Sequence, residues 1–104
     1  MIVVSVCEDK GSYTSVSIKG HGDMGYGKDI VCAGVSSCFI GALNALKDVN
    51  SFEIITEEGD GLVRNVLPIS EHDKVVLETL VVQLLTISQS YPDTVKVVVS
   101  RKEG

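Results

Sequence analysis

Asp29-Ile30-Val31-Cys32-Ala33-Gly34-Val35-Ser36-Ser37-Cys38-Phe39-Ile40-Gly41-Ala42-Leu43-Asn44-Ala45-Leu46 is where the hydrophobic pattern of the chain changes period. Val31, Val35, Cys38, Ala42 and Leu46 recur at spacings of three and four, which predicts one buried helical stripe. Phe39 and Leu43 widen it. Asp29 is a good N-cap, Lys47 suits a helix C-terminus and Asn50 suits a stop, so the predicted helix spans 30–49.

On either side of this helix the period is near two. Residues 2–7 are β-rich and alternate loosely, Glu8-Asp9-Lys10-Gly11-Ser12 is a polar turn cluster, and Tyr13 to Ile18 alternates again. This predicts an antiparallel hairpin. After the helix, Phe52 to Thr56 and Leu62 to Leu67 read as strands about the turn Glu57-Glu58-Gly59-Asp60-Gly61, with Pro68 as the stop. Ser70-Glu71-His72-Asp73 resembles a capping box. Val76, Leu77, Leu80, Val81, Leu84 and Ile87 form a second helical stripe, closed by Tyr91-Pro92, and Thr94 to Ser100 reads as a last strand. The order strand, strand, helix, strand, strand, helix, strand implies an α+β fold. Its sheet is mostly antiparallel, with the two helices packed on one face. The expected domain is single and spans 1–104.

The bulk composition narrows the function. Apolar residues are 44% and charged residues 22% of 104, the balance of an ordinary globular domain. No 18-residue apolar run predicts a membrane span, and the N-terminus lacks the pattern of a secretion signal. Cys7, Cys32 and Cys38 are odd in number and form no C-x-x-C pair. That argues against a disulfide scaffold or structural zinc and for a reducing cytoplasm. A net charge of −5 with scattered lysines makes a poor nucleic-acid binder and suits a basic partner. No cofactor or metal is expected.

The loop before the helix carries the chemistry. Gly20, Gly22 and Gly25 satisfy G-x-G-x-x-G, but the strand before them has a polar face and the helix opens too late for a dinucleotide site. Gly22 to Lys28 fits G-x-x-x-x-G-K, but Asp29 stands where a P-loop needs the magnesium-binding hydroxyl. A third reading pairs His21 with Cys32, eleven residues on. With Asp29 as cap, Cys32 is the third helical residue, where orphan N–H groups and the helix dipole favour an anionic sulfur and could hold an oxyanion. Spacing alone leaves this open, because a cysteine at a helix start is also a small buried hydrophobe.

The run Gly27-Lys28-Asp29-Ile30-Val31-Cys32-Ala33-Gly34-Val35-Ser36, taken with His21, closely resembles the ribosomal-processing cysteine protease (Prp, YsxB-like) family. Tyr91-Pro92 followed by Val95 to Val99 is similar to that family's closing strand. Two features depart from the pattern. Gly22 follows His21 where alanine is common, and the His21–Cys32 spacing is one residue shorter. The resemblance implies a cytoplasmic bacterial endopeptidase that removes the N-terminal extension of the twenty-seventh large-subunit ribosomal protein. It implies Cys32 as nucleophile and His21 as general base and acid. Gly22, Gly27, Asp29, Ala33 and Ser36 become supporting or substrate-binding positions. A homodimer is also implied, with a basic peptide substrate and no direct contact with nucleic acid or membrane. The alternative is a ribosome-associated or assembly protein that keeps the fold without proteolysis.

Other candidates have bland explanations. Cys38 lies on the apolar stripe and reads as core, and Cys7 as strand packing. His72 reads as exposed. Met24 and Tyr26 could line a peptide groove or fill an exposed loop equally well.

Overall fold

The structure is a computed structural model that describes residues 1–20 and 28–102, with backbone alone at 28 and 29. Five strands and two helices follow in the order β1 (Ile2–Asp9), β2 (Ser12–Lys19), α1 (Lys28–Ala45), β3 (Phe52–Glu57), β4 (Asp60–Asn65), α2 (Glu71–Ser90) and β5 (Val95–Arg101). A 3-10 turn, Val49–Ser51, precedes β3. The strands form one sheet in the order β3-β4-β2-β1-β5. Three of the four pairings are antiparallel, and β5 joins β1 in parallel. This is the expected α+β class.

Alternation along the strands builds one apolar face. Ile2, Val4 and Val6 of β1, Val16 and Ile18 of β2, Val63 of β4 and Val95 of β5 are all buried. Their register aligns them in rows across the sheet. Val6 stands opposite Val16 and Val16 opposite Val63, while Val4 stands opposite Ile18 and Ile18 opposite Gly61. Both helices cover this face, α1 with Val31, Val35 and Phe39 and α2 with Leu77, Leu80, Val81 and Leu84. The other face carries more polar side chains, among them Ser5, Ser15, Ser17 and Arg64. Cys7 is there, exposed opposite Ser15, so it does not pack into the core as the sequence suggested.

The first hairpin turns on Lys10 and Gly11, both at positive φ (53° and 79°). This suits a two-residue connection whose twist matches the strands. The second hairpin is tighter than expected. β3 runs on to Glu57 and β4 begins at Asp60, leaving only Glu58 and Gly59 in the turn. At its far end β4 stops at Asn65, not Leu67, because Val66 and Leu67 turn away to donate their N–H groups to the Ser51 carbonyl.

α1 also ends early, at Ala45 instead of Val49. The physical reason lies in α2. Ser70 caps α2, its Oγ accepting from the N–H of Asp73 as expected. The Asp73 carboxylate does not close the capping box. It is fully buried and accepts from the backbone N–H groups of Lys47 and Asp48, both at 2.9 Å. Those two donors would otherwise continue the α1 ladder. Lys47 therefore lies beyond the helix, and Asn50 falls in the 3-10 turn.

Candidate active site

Cys32 lies on the half-buried side of α1, above the end of the sheet where β1 begins and β2 ends. It lines an open cleft of about 410 Å³. Val35 and Phe39 of α1 and Ile18 of β2 supply an apolar floor. Ser36, one helical turn beyond Cys32, lines the same cleft. Its hydroxyl has no hydrogen-bond partner among the described residues, whereas Thr79 and Thr86 on α2 bond back to their own helix. Ser36 is thus presented to whatever enters the cleft.

The helix starts two residues earlier than the sequence reading. α1 begins at Lys28, so Asp29 is its second residue and not its cap. Lysine is a good helix former, and nothing at that position breaks the ladder. Cys32 becomes the fifth helical residue. Among the described residues the orphan N–H groups then belong to residues 28–30, instead of including that of Cys32 itself.

The other expected positions divide into two groups. Ala33 is exposed and does not line the cleft, so it lies beside Cys32 in sequence only. His21, Gly22 and Gly27 lie outside the described residues, as do Met24, Tyr26 and the side chain of Asp29. Gly20, the residue before His21, is described and lines the cleft with Cys32.

The cleft has a wall that local sequence patterns did not reveal: the tip of the β3–β4 hairpin, residues 56–61. It is latched to the end of β2. The Gly20 N–H donates to the Gly59 carbonyl at 3.0 Å, and Lys19 Nζ lies 3.1 Å from Asp60 Oδ1. Glu57, Glu58 and Asp60 make this rim acidic, and no basic residue lines the described cleft. Gly61 lets the Phe39 ring lie against the strand, since a Cβ there would stand 3.1 Å from the ring. The glycine-bearing turn was visible in sequence. Only the β2–β4 register brings it beside α1.

Comparison with known proteins identifies this arrangement. The cysteine protease Prp family profile matches residues 1–96. The chain belongs to the Prp cysteine protease family. The ribosomal processing cysteine protease Prp of Staphylococcus aureus strain Mu50 is 34% identical over 102 residues, covering 92% of this chain and 96% of its own length. That of Bacillus subtilis strain 168 is 32% identical over 98 residues, covering 86% and 87%. The crystal structure of S. aureus Prp in complex with a covalently linked product peptide superposes with a TM-score of 0.83 at 33% identity, covering 96% of this chain and all of that one.

The remaining thiols of this Prp family member are unlike Cys32. Cys38, half-buried against the core as Cys32 is, lies outside the cleft, and burial raises its pKa, so the neutral thiol is favoured. Cys7 is on the far face of the sheet. His72 is exposed, as expected, but not idle: its Nε2 lies 3.0 Å from the Ala45 carbonyl oxygen and so caps α1. No group of three or more His, Cys, Asp or Glu among the described residues is arranged to hold a metal. No helix there is long and apolar enough to cross a membrane.

Proposed function

We propose that this chain is a cytoplasmic cysteine endopeptidase, a single domain over 1–104, that removes the N-terminal extension of the twenty-seventh large-subunit ribosomal protein. The observation that supports this best is Cys32, half-buried in an open cleft of about 410 Å³. His21 takes the thiol proton of Cys32, and the Sγ thiolate attacks the scissile carbonyl carbon to form a tetrahedral oxyanion. The intermediate collapses, the C–N bond breaks, and His21 gives the leaving amine its proton. A thioester remains. Water then attacks it while His21 takes the water's proton. The new carboxylate leaves, and Sγ is restored. A histidine–cysteine dyad is sufficient because the thiolate is strongly nucleophilic.

Ser36 is placed to meet substrate, and Gly22, Gly27, Asp29 and Ala33 support the loop and helix entry. The acidic rim suits a basic ribosomal peptide and not nucleic acid, and two copies form a homodimer. The test is incubation of the reduced protein with the extended ribosomal precursor, read by mass spectrometry. Loss of the extension is expected, and replacing Cys32 by alanine should abolish it. Intact precursor after prolonged incubation would refute the reading.

A further inference from the structure

β3 is an outer strand of the sheet, and the hydrogen-bond alternation of its hairpin fixes what its free edge offers. Glu57 and Asp60 flank a two-residue turn and so form a hydrogen-bonded pair. The ladder then uses every second residue, Ile55 with Leu62 and Glu53 with Arg64. The other side of β4 agrees. Gly59 accepts from Gly20, so Gly61 and Val63 are the residues that bond toward β2. Ile54 and Thr56 therefore turn both N–H and C=O away from β4. Among the described residues no strand pairs with them, and no turn or loop bond reaches them. At the next such position, Phe52, the N–H is taken by the Val49 carbonyl.

An unpaired edge usually carries a device against further pairing, such as a proline, a lysine or a bulge. Phe52-Glu53-Ile54-Ile55-Thr56-Glu57 has no proline or lysine, and its register against β4 is unbroken. The opposite outer strand, β5, has Lys96 and Arg101 and contributes no residue to the described cleft. β3 does contribute. Thr56 and Glu57 line the cleft that holds Cys32, so the open edge leads into it. Charge selects the occupant. Two copies joined edge to edge along β3 would set Glu53 and Glu57 of one against those of the other. Glu57 and Glu58 have no ion-pair partner among the described residues. A basic extended segment meets no such repulsion.

We propose that β3 is a docking strand for the substrate: a basic peptide adds to the sheet along Ile54 and Thr56, and the chain beyond it crosses the cleft to Cys32. This rests on the proteolytic reading above. Main-chain bonds then supply affinity whatever the side chains of that segment, and the acidic hairpin tip adds the preference for positive charge.

The test is an N-methyl scan, one residue at a time, of a synthetic peptide spanning the extension junction of the ribosomal precursor, cleaved by the full chain. Positions whose N–H points into β3 should lose about tenfold in kcat/KM and alternate with positions that lose less than about twofold. Thr56→Pro and Ile54→Pro each remove one outward N–H and spare the β4 ladder, the setting in which an edge strand tolerates proline. Each should fold and raise KM about tenfold with kcat within about threefold. The N-methyl penalty opposite the replaced residue should shrink in that variant, because the pair is already broken. The proposal is overturned by a scan without two-residue alternation, or by folded proline variants with wild-type KM. Failure of both variants to fold overturns it too, since the fold itself would then need those N–H groups. A peptide that is not cut at all refutes the proteolytic reading and this proposal with it. A peptide that is cut with a flat scan removes only the docking strand.

Discussion

Asp73 Oδ1 accepts the backbone N–H of Lys47 at 2.9 Å, tying the first turn of α2 to the chain just beyond the last turn of α1. The second oxygen takes the N–H of Asp48, so one buried carboxylate satisfies two backbone donors from a distant segment. Replacing Asp73 by alanine strands both donors. We expect a loss of about 2–4 kcal/mol, read as a lower urea midpoint. Ser70→Ala removes only the cap and should cost about 1 kcal/mol. Equal effects from the two variants would contradict this account.

Cys32→Ala should leave the fold and thermal midpoint nearly unchanged while precursor cleavage disappears. Cys38→Ala should do the opposite, keeping cleavage and losing about 1 kcal/mol of stability through reduced packing. Thermal melts and cleavage assays on the two variants separate nucleophile from core.

Burial raises the pKa of Cys38. Its labelling by iodoacetamide should therefore begin at a more alkaline pH than that of a small free thiol, followed by peptide mapping. The linked stability has a definite sign. A group whose folded pKa is raised contributes fully below its unfolded pKa and loses that contribution as pH climbs through the folded value. Cys38→Ala should thus flatten the alkaline decline in stability, measured by urea melts on the alkaline side of neutrality.

Gly61→Ala would put a methyl group against the Phe39 ring, 3.1 Å from its nearest atom. The ring must shift, and it lies on the floor of the cleft. A several-fold rise in KM for the ribosomal precursor, with a stability loss of about 1–2 kcal/mol, is the expected result. An unchanged KM would show that substrate does not use this part of the cleft.

The strands and α2 were legible because their signals are local: Val4 and Val6 alternate, Ser70 precedes an acidic first turn, and Tyr91-Pro92 halts the stripe. The end of α1 was not. Leu46 and Val49 extend the apolar period past Ala45, but Asp73, 25 and 26 residues away from its two partners, claims the donors that would propagate the helix. That Cys32 and Ser36 share one side of α1 was legible from their four-residue spacing, and both line the cleft. The hairpin wall opposite them was not, because no pattern within residues 57–61 says which strand β4 will pair with. Only the Ile18–Gly61 register does.

The parallel pairing of β1 with β5 joins the first strand of the fold to the last. β1 carries Ile2, which lines the cleft, and the Ile2 N–H donates to the Thr94 carbonyl just before β5. During synthesis Cys32 emerges about sixty residues before the strand that braces β1, seconds at ordinary elongation rates. The Cys32 segment is therefore made before the cleft it lines is complete. The side of the cleft at Ile2 is fixed only once the closing strand has left the ribosome.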